Sequence, residues 1–181
     1  MTDKLNSKII SEKALYESKY FKVIEKTVEV NSKIFKKEFL QRRSVVLIAP
    51  ISSQNEIYLA YQYREAIGKK SLELIAGTLD DSEEPLVAAK RELSEESGIQ
   101  AKTWNHLSTM HLSANMIAIV DVYLAKDIEV GKAHQDADEQ IEIIKIPLEV
   151  AVEKVMSGEI NVSIHVAAIL LLANLQKQGK I

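Results

Sequence analysis

The chain has no cysteine, which excludes disulfides and thiolate metal sites and leaves its redox compartment open. Excess positive charge is also missing. The formal net charge is −3, and the basic clusters are no longer than pairs such as Arg42-Arg43 and Lys69-Lys70. Polymeric DNA or RNA is therefore not expected as a main ligand. Long hydrophobic runs are absent: the longest, residues 166–173, falls well short of the ~20 apolar residues that a helix needs to cross a bilayer. The first residues, Met-Thr-Asp-Lys-Leu-Asn-Ser-Lys, lack the apolar core of a secretory signal. With no internal repeats, low-complexity tracts or long linkers, the expectation is a cytoplasmic protein without a membrane segment.

What is present is ordinary globular material, 46% apolar and 27% charged over 181 residues. That length supports one well-buried core with a small extension. Residues 20–40 are rich in β-branched and aromatic side chains and are interrupted by Asn31-Ser32-Lys33, which predicts a two-stranded hairpin. Residues 45–49 and 57–63 form a second pair of strands, and further strands are expected at about 106–112, 117–125 and 141–146. Pro147 opens a helix with Leu148, Val152, Val155 and Met156 at helical spacing, and Gly158 closes it. A last helix runs from about 162 to 176, with an apolar face wide enough to be largely buried. The pattern predicts an α/β fold in which helices flank a mixed sheet, with residues 1–38 as an added N-terminal β element and residues 39–181 as the main domain.

Function is most legible in residues 77–99, Gly-Thr-Leu-Asp-Asp-Ser-Glu-Glu-Pro-Leu-Val-Ala-Ala-Lys-Arg-Glu-Leu-Ser-Glu-Glu-Ser-Gly-Ile. Pro85 suits the first turn of a helix, Ser82 or Asp81 can cap it, and Gly98 is a C-terminal stop. Glu92, Glu95 and Glu96 then stand at i, i+3 and i+4 in the last turn and share one face. Left unpaired, such carboxylates repel one another and oppose the helix dipole. A divalent cation converts that repulsion into coordination.

The same residues resemble the signature of the Nudix hydrolases: Gly, five residues, Glu, seven residues, then Arg-Glu-aliphatic-x-Glu-Glu-x-Gly-aliphatic. Gly77, Glu83, Arg91, Glu92, Leu93, Glu95, Glu96, Gly98 and Ile99 fill every place, a coincidence expected in roughly one in ten million chains of this length. The resemblance implies a Nudix-type α/β/α sandwich and cleavage of a diphosphate joined to another group, with magnesium or manganese, two or three ions per site with substrate. A narrower similarity extends beyond the signature. Gln62-Tyr63-Arg64 followed by Leu72-Glu73-Leu74-Ile75-Ala76-Gly77 looks like the ADP-ribose and nucleoside-diphosphate-sugar pyrophosphatases, as does the N-terminal β extension. Two departures are Ile75 in place of a proline and Leu112-Ser113-Ala114-Asn115-Met116 in place of Ser-Pro-Gly.

Roles follow from that resemblance and from side-chain chemistry. Glu92 and Glu96 are expected as bridging metal ligands, Glu95 as a third, and the main-chain carbonyl of Ala76 as a fourth. Arg91 is expected to pair with Glu83 and hold the loop-helix-loop shape; Glu83 alone reads equally as a helix N-terminal acid or a metal ligand. The general base is expected at Glu139, with Asp138 second and Glu73 the other candidate, although Glu73 also suits a pair with an arginine. Arg64, Arg42 or Arg43 can grip a phosphate through a planar fork, and Tyr20 and Phe21 can stack on a base. His111, His165 and Trp104 read as structural. The small-molecule partner is a nucleotide sugar. The alternatives are a Nudix hydrolase of nucleoside triphosphates or dinucleoside polyphosphates, and a Nudix-fold sensor that binds without cleaving. The apolar residues of the first 38, from Ile9 and Ile10 to Ile34, predict a homodimer built through that extension.

Overall fold

A computed structural model describes residues 7–135 and 140–181. The first strands are β1 (Ser7–Glu17), β2 (Lys22–Val30), β3 (Lys33–Gln41), β4 (Val45–Pro50) and β5 (Glu56–Arg64). A single 3₁₀ turn, Glu65–Ile67, leads to β6 (Lys69–Glu73) and β7 (Ile75–Thr78), and then to helix α1 (Pro85–Ser97). After it come β8 (Ile99–His111), β9 (Met116–Ile117), β10 (Ile119–Val130), β11 (Glu142–Pro147), α2 (Leu148–Met156) and α3 (Ser163–Lys177).

The chain divides into two compact units. One runs up to Ser44 and takes in His111–Ile119. It is a four-stranded sheet in the order β1-β2-β3-β9, antiparallel except where β9 joins β3 in parallel. The β2–β3 turn is the one read from the sequence: Asn31 and Ser32 both have positive φ, 51° and 59°, as a two-residue hairpin turn that follows the strand twist requires. The sequence reading missed β1, whose residues are exposed throughout. With neither face buried, β1 carries no clean alternation of apolar and polar residues from which a strand is read.

The second unit, residues 45–110 and 120–181, holds the sheets β7-β4-β10-β8 and β11-β5-β6. The first of these is mixed, since β4 pairs antiparallel with β7 and parallel with β10. Gly77, Val46 and Asp121 consequently stand in one row across three strands, their side-chain positions on one face. Helix α1 covers that face. Its Ala88, Ala89 and Leu93 are fully buried in a core with Val46, Ile48, Ile75 and Tyr123. Asp121 is buried here too, and Thr109 at 2.6 Å and His106 at 2.8 Å satisfy its carboxylate. Helices α2 and α3 pack on β11, β5 and β4 and bury Leu148, Ala151, Ile160, Ile169 and Leu172. This is the α/β/α sandwich with a mixed sheet and an added N-terminal β element that the sequence predicts.

Both glycines that bound the acidic segment are sterically required. At Gly98 the backbone is left-handed, φ 69°, and a Cβ would lie 2.6 Å from the backbone of Lys132 and Ala133. Substitution therefore meets conformational strain and a clash with main chain that cannot rotate away. We expect Gly98→Ala to cost about 2 kcal/mol or more of stability, read as a lowered midpoint in chemical denaturation. A variant within about 0.5 kcal/mol of the parent would show that this turn rearranges freely.

Candidate active site

The site is built on α1 and the loop before it. Pro85 occupies the first helical position, and Gly98 closes the last turn by donating its N–H to the Ser94 carbonyl at 2.9 Å. The capping expectation is corrected: Glu84 in extended backbone is the N-cap, without a side-chain cap. Ser82 takes a left-handed φ of 64° in the preceding turn instead.

The ordering of that turn comes from Arg91. Its Nε and Nη2 donate to the two Glu83 carboxylate oxygens at 3.0 and 2.9 Å, and Nη2 also reaches the Thr78 carbonyl at 3.3 Å. Glu83 in turn accepts from the Asp80 backbone N–H at 3.0 Å. Nη1 donates to Glu92 at 2.8 Å and Glu95 at 3.1 Å. The expected Arg91–Glu83 pair is thus present, and one guanidinium ties the loop to two carboxylates of the helix. Hydrogen bonds from Arg91 and the Asp80 N–H hold the Glu83 carboxyl at about 2, and Glu83 in turn pushes the Arg91 guanidinium above its usual range.

Glu92 lies directly over Gly77: a Cβ at that position would come within 1.8 Å of the Glu92 carboxyl carbon. Glycine is what lets this carboxylate settle against β7, one residue beyond Ala76. Glu96 on the same helix is buried at 6% exposure, whereas the Glu95 side chain is half exposed. The expectation of three unpaired, converging carboxylates is corrected in one respect. Glu92 and Glu95 pair with Arg91, and among the described residues no three His, Asp or Glu side chains are arranged to hold a metal ion. The donor set remains all oxygen, three carboxylates on one helical turn and a neighbouring main-chain carbonyl, which fits a hard divalent cation such as magnesium or manganese.

The NUDIX domain model matches residues 40–160. The chain belongs to the Nudix family. Members generally use divalent metal ions. Among curated relatives, an ADP-ribose pyrophosphatase of Bacillus subtilis (strain 168) is 30% identical over 160 residues, 86% of either chain. An ADP-ribose pyrophosphatase of Mycobacterium tuberculosis (strain ATCC 25618 / H37Rv) is 36% identical over 143 residues, 76% of this chain and 68% of the relative. Among solved structures, one described as an ADP compounds hydrolase superposes over the full length of both chains with a TM-score of 0.82 at 21% identity. At that identity it bears on the fold alone.

Other residues singled out from the sequence of this Nudix protein are placed as follows. Arg64 donates through Nε at 3.1 Å and Nη2 at 2.6 Å to Glu73, which is 1% exposed at the end of β6. Burial alone raises the Glu73 carboxyl, but hydrogen bonds from His165 and Arg64 override it and hold the group well below the usual carboxylate range. The pair with an arginine expected for Glu73 is therefore present, with His165 as a further partner. Tyr20, Phe21 and Arg42 are exposed residues of the first unit. Arg42 lines a groove of about 810 Å³ there with Lys26, Lys37, Phe39 and His111. Glu139 and Asp138 lie outside the described residues.

Sequence reading missed Gln135. Its Nε2 donates to the Glu96 carbonyl at 2.8 Å and the Ile141 carbonyl at 2.9 Å, and the His134 N–H donates to Glu95 at 2.9 Å. His134 and Gln135 thereby meet the Glu95 and Glu96 carbonyls in the last turn of α1, and Gln135 bridges to Ile141. Nothing in the composition of an acidic loop distinguishes such an amide from its neighbours.

Glu83 generates a pH prediction. Its folded value, about 2, lies below the ordinary 4.5, so the Arg91–Glu83 link contributes fully above pH 4.5 and is lost as pH falls through about 2. Stability of the parent is expected to drop across that window. Arg91→Leu should lower stability at neutral pH and flatten the drop, and an equally steep acid limb in the variant would assign the dependence to other carboxylates.

Proposed function

We propose that the chain hydrolyses the diphosphate bond of nucleoside diphosphate sugars, ADP-ribose or a related ADP- or GDP-sugar, to a nucleoside monophosphate and a sugar phosphate. The carrying observation is the complete signature folded as one Arg91-locked loop and helix, with Glu92, Glu95 and Glu96 on a single turn. Two ADP-ribose pyrophosphatases among the relatives support the substrate class. A magnesium or manganese ion, when bound, neutralises phosphate charge and acidifies a water. Glu92, Glu95, Glu96 and the Ala76 carbonyl would hold it. Arg64 binds a substrate phosphate, with Arg42 or Arg43 the alternative, and Tyr20 or Phe21 is the surface for the base. Glu139 takes the proton from the attacking water, supported by the bonds of His134 and Gln135, just before it in the chain, to the helix that carries Glu95 and Glu96.

The direct test is magnesium-dependent release of nucleoside monophosphate from a panel of ADP-ribose, ADP-sugars, GDP-sugars, nucleoside triphosphates and dinucleoside polyphosphates. Turnover confined to triphosphates would replace the proposed substrate class, and tight binding without turnover would make the chain a sensor. Glu96→Gln is expected to retain the fold and lose roughly 10²-fold or more in rate. Glu139→Gln is expected to lower kcat by about 10²- to 10⁴-fold while metal affinity stays unchanged. If it loses both together, Glu139 is a ligand rather than the base.

The same reading includes a homodimer formed through the first unit, supported by Ile9, Ile10, Leu15, Tyr16, Ile34 and Phe35, all large apolar side chains left exposed there. Sedimentation at micromolar concentration is expected to give a dimer. A fully active monomer would overturn this part of the reading.

A further inference from the structure

A second buried charge network stands in the unit that carries α1, joining three parts of the sequence. Glu73 closes β6, Arg64 closes β5, and His165 lies in the first turn of α3. His165 and Glu73 are both almost fully enclosed. The His165 Nδ1 accepts the Leu74 backbone N–H at 3.1 Å. A backbone N–H can only donate, so Nδ1 must present a lone pair and the ring proton sits on Nε2. That Nε2 faces a Glu73 oxygen at 3.3 Å. That same oxygen, Oε2, also receives Arg64 Nη2 at 2.6 Å, and Arg64 Nε reaches both carboxylate oxygens at 3.1 Å.

Geometry is thus handed on in sequence. The Leu74 amide fixes the imidazole tautomer, the imidazole fixes the carboxylate plane, and the carboxylate fixes the guanidinium plane through two of its nitrogens. Charge points the same way. A lone Arg–Glu pair on a half-exposed strand end exchanges with water, but here the carboxylate is enclosed and His165 and Arg64 meet at one of its oxygens, which holds it facing Arg64. Removing the imidazole leaves the enclosed Leu74 N–H without its acceptor and leaves Oε2 with Arg64 alone to orient it.

We propose that His165, acting through Glu73, is a positioning residue that orients the Arg64 guanidinium for a substrate phosphate. The proposal rests on the reading of Arg64 as a phosphate ligand, and it gives α3 a part in substrate binding. Neither His165 nor Glu73 touches substrate. Their effect is to pre-order Arg64, so it falls on substrate binding rather than on the chemical step.

Four full-length variants test it: His165→Leu, His165→Gln, Arg64→Ala and the double change His165→Leu with Arg64→Ala. Steady-state kinetics with the best diphosphate sugar of the panel would be combined with ¹⁵N NMR of the Arg64 Nε–H and with melting temperature. For His165→Leu we expect KM to rise about tenfold while kcat stays within about twofold, with the Arg64 Nε–H signal losing its protection from exchange. His165→Gln, which can still donate toward Glu73, should recover most of both. In the Arg64→Ala background the leucine change should add nothing to KM. A lowered melting temperature with KM and the Arg64 signal unchanged would overturn the proposal, as would a KM increase that adds in full to that of Arg64→Ala. If the parent cleaves no diphosphate sugar, the functional reading fails and the substrate end of the proposal with it. The NMR comparison then still decides whether His165 orders the arginine.

Discussion

The second unit depends on how one cation is shared among carboxylates that would otherwise repel. Glu83, Glu92 and Glu95 all converge on Arg91. Without it the helix would carry several negative charges in its C-terminal half, where the dipole already disfavours them. The guanidinium is suited to the task because its donors point in fixed, divergent directions: one edge reads a carboxylate in the loop and the remaining nitrogen reads two on the helix. A lysine ammonium would neutralise charge without imposing that geometry. The pair also makes the loop from Gly77 to Glu84 an extension of the helix, although that loop buries little apolar surface of its own.

Arg64 and Glu73 solve a related problem under different conditions. Around Arg91 the carboxylates are partly exposed and the arginine is the hub, so solvent screens each link and the value of the network lies in geometry. At Glu73 the carboxylate is the enclosed member, and desolvation must be answered by two partners at once. The answer comes from residues 9 positions back and about 90 positions ahead in the chain. Long-range partnership of this kind is paid by topology: β5 and β6 are antiparallel neighbours, with Arg64 opposite Lys69 and Glu73 opposite Ala60, and α3 packs on the adjoining strands.

Local chemistry made the central element readable. Pro85 and Gly98 bracket α1 because fixed φ and left-handed backbone are intrinsic to those residues, and the spacing of Glu92, Glu95 and Glu96 has one meaning on a helix. The Asn31-Ser32 turn is legible for the same reason. Where tertiary context decides, sequence fell short. Ser82 has the side chain of a cap but is turned into a left-handed conformation by the loop that Arg91 organises. β8 begins at Ile99 rather than near His106, since its first residues are strand through their neighbour β10 and not through their own alternation. His165 reads as an ordinary core histidine until the Leu74 amide and the Glu73 carboxylate are seen on either side of it. Its partners lie about 90 residues away, beyond any local pattern.

The division of labour within Arg91 bears on how the carboxylates become available. Nε and Nη2 are committed to Glu83 and Thr78, while Nη1 alone holds Glu92 and Glu95. If those two carboxylates held a cation, as proposed, they would give up their bonds to Nη1 while the Arg91 contacts to Glu83 and Thr78 stayed in place. At Glu92 the missing Cβ of Gly77 leaves the space that the carboxylate itself occupies. The helix backbone need not shift, since Leu93, between the two, stays locked in the core. A site can in this way be rigid in its scaffold and labile in its ligands, with the signature arginine serving both ends.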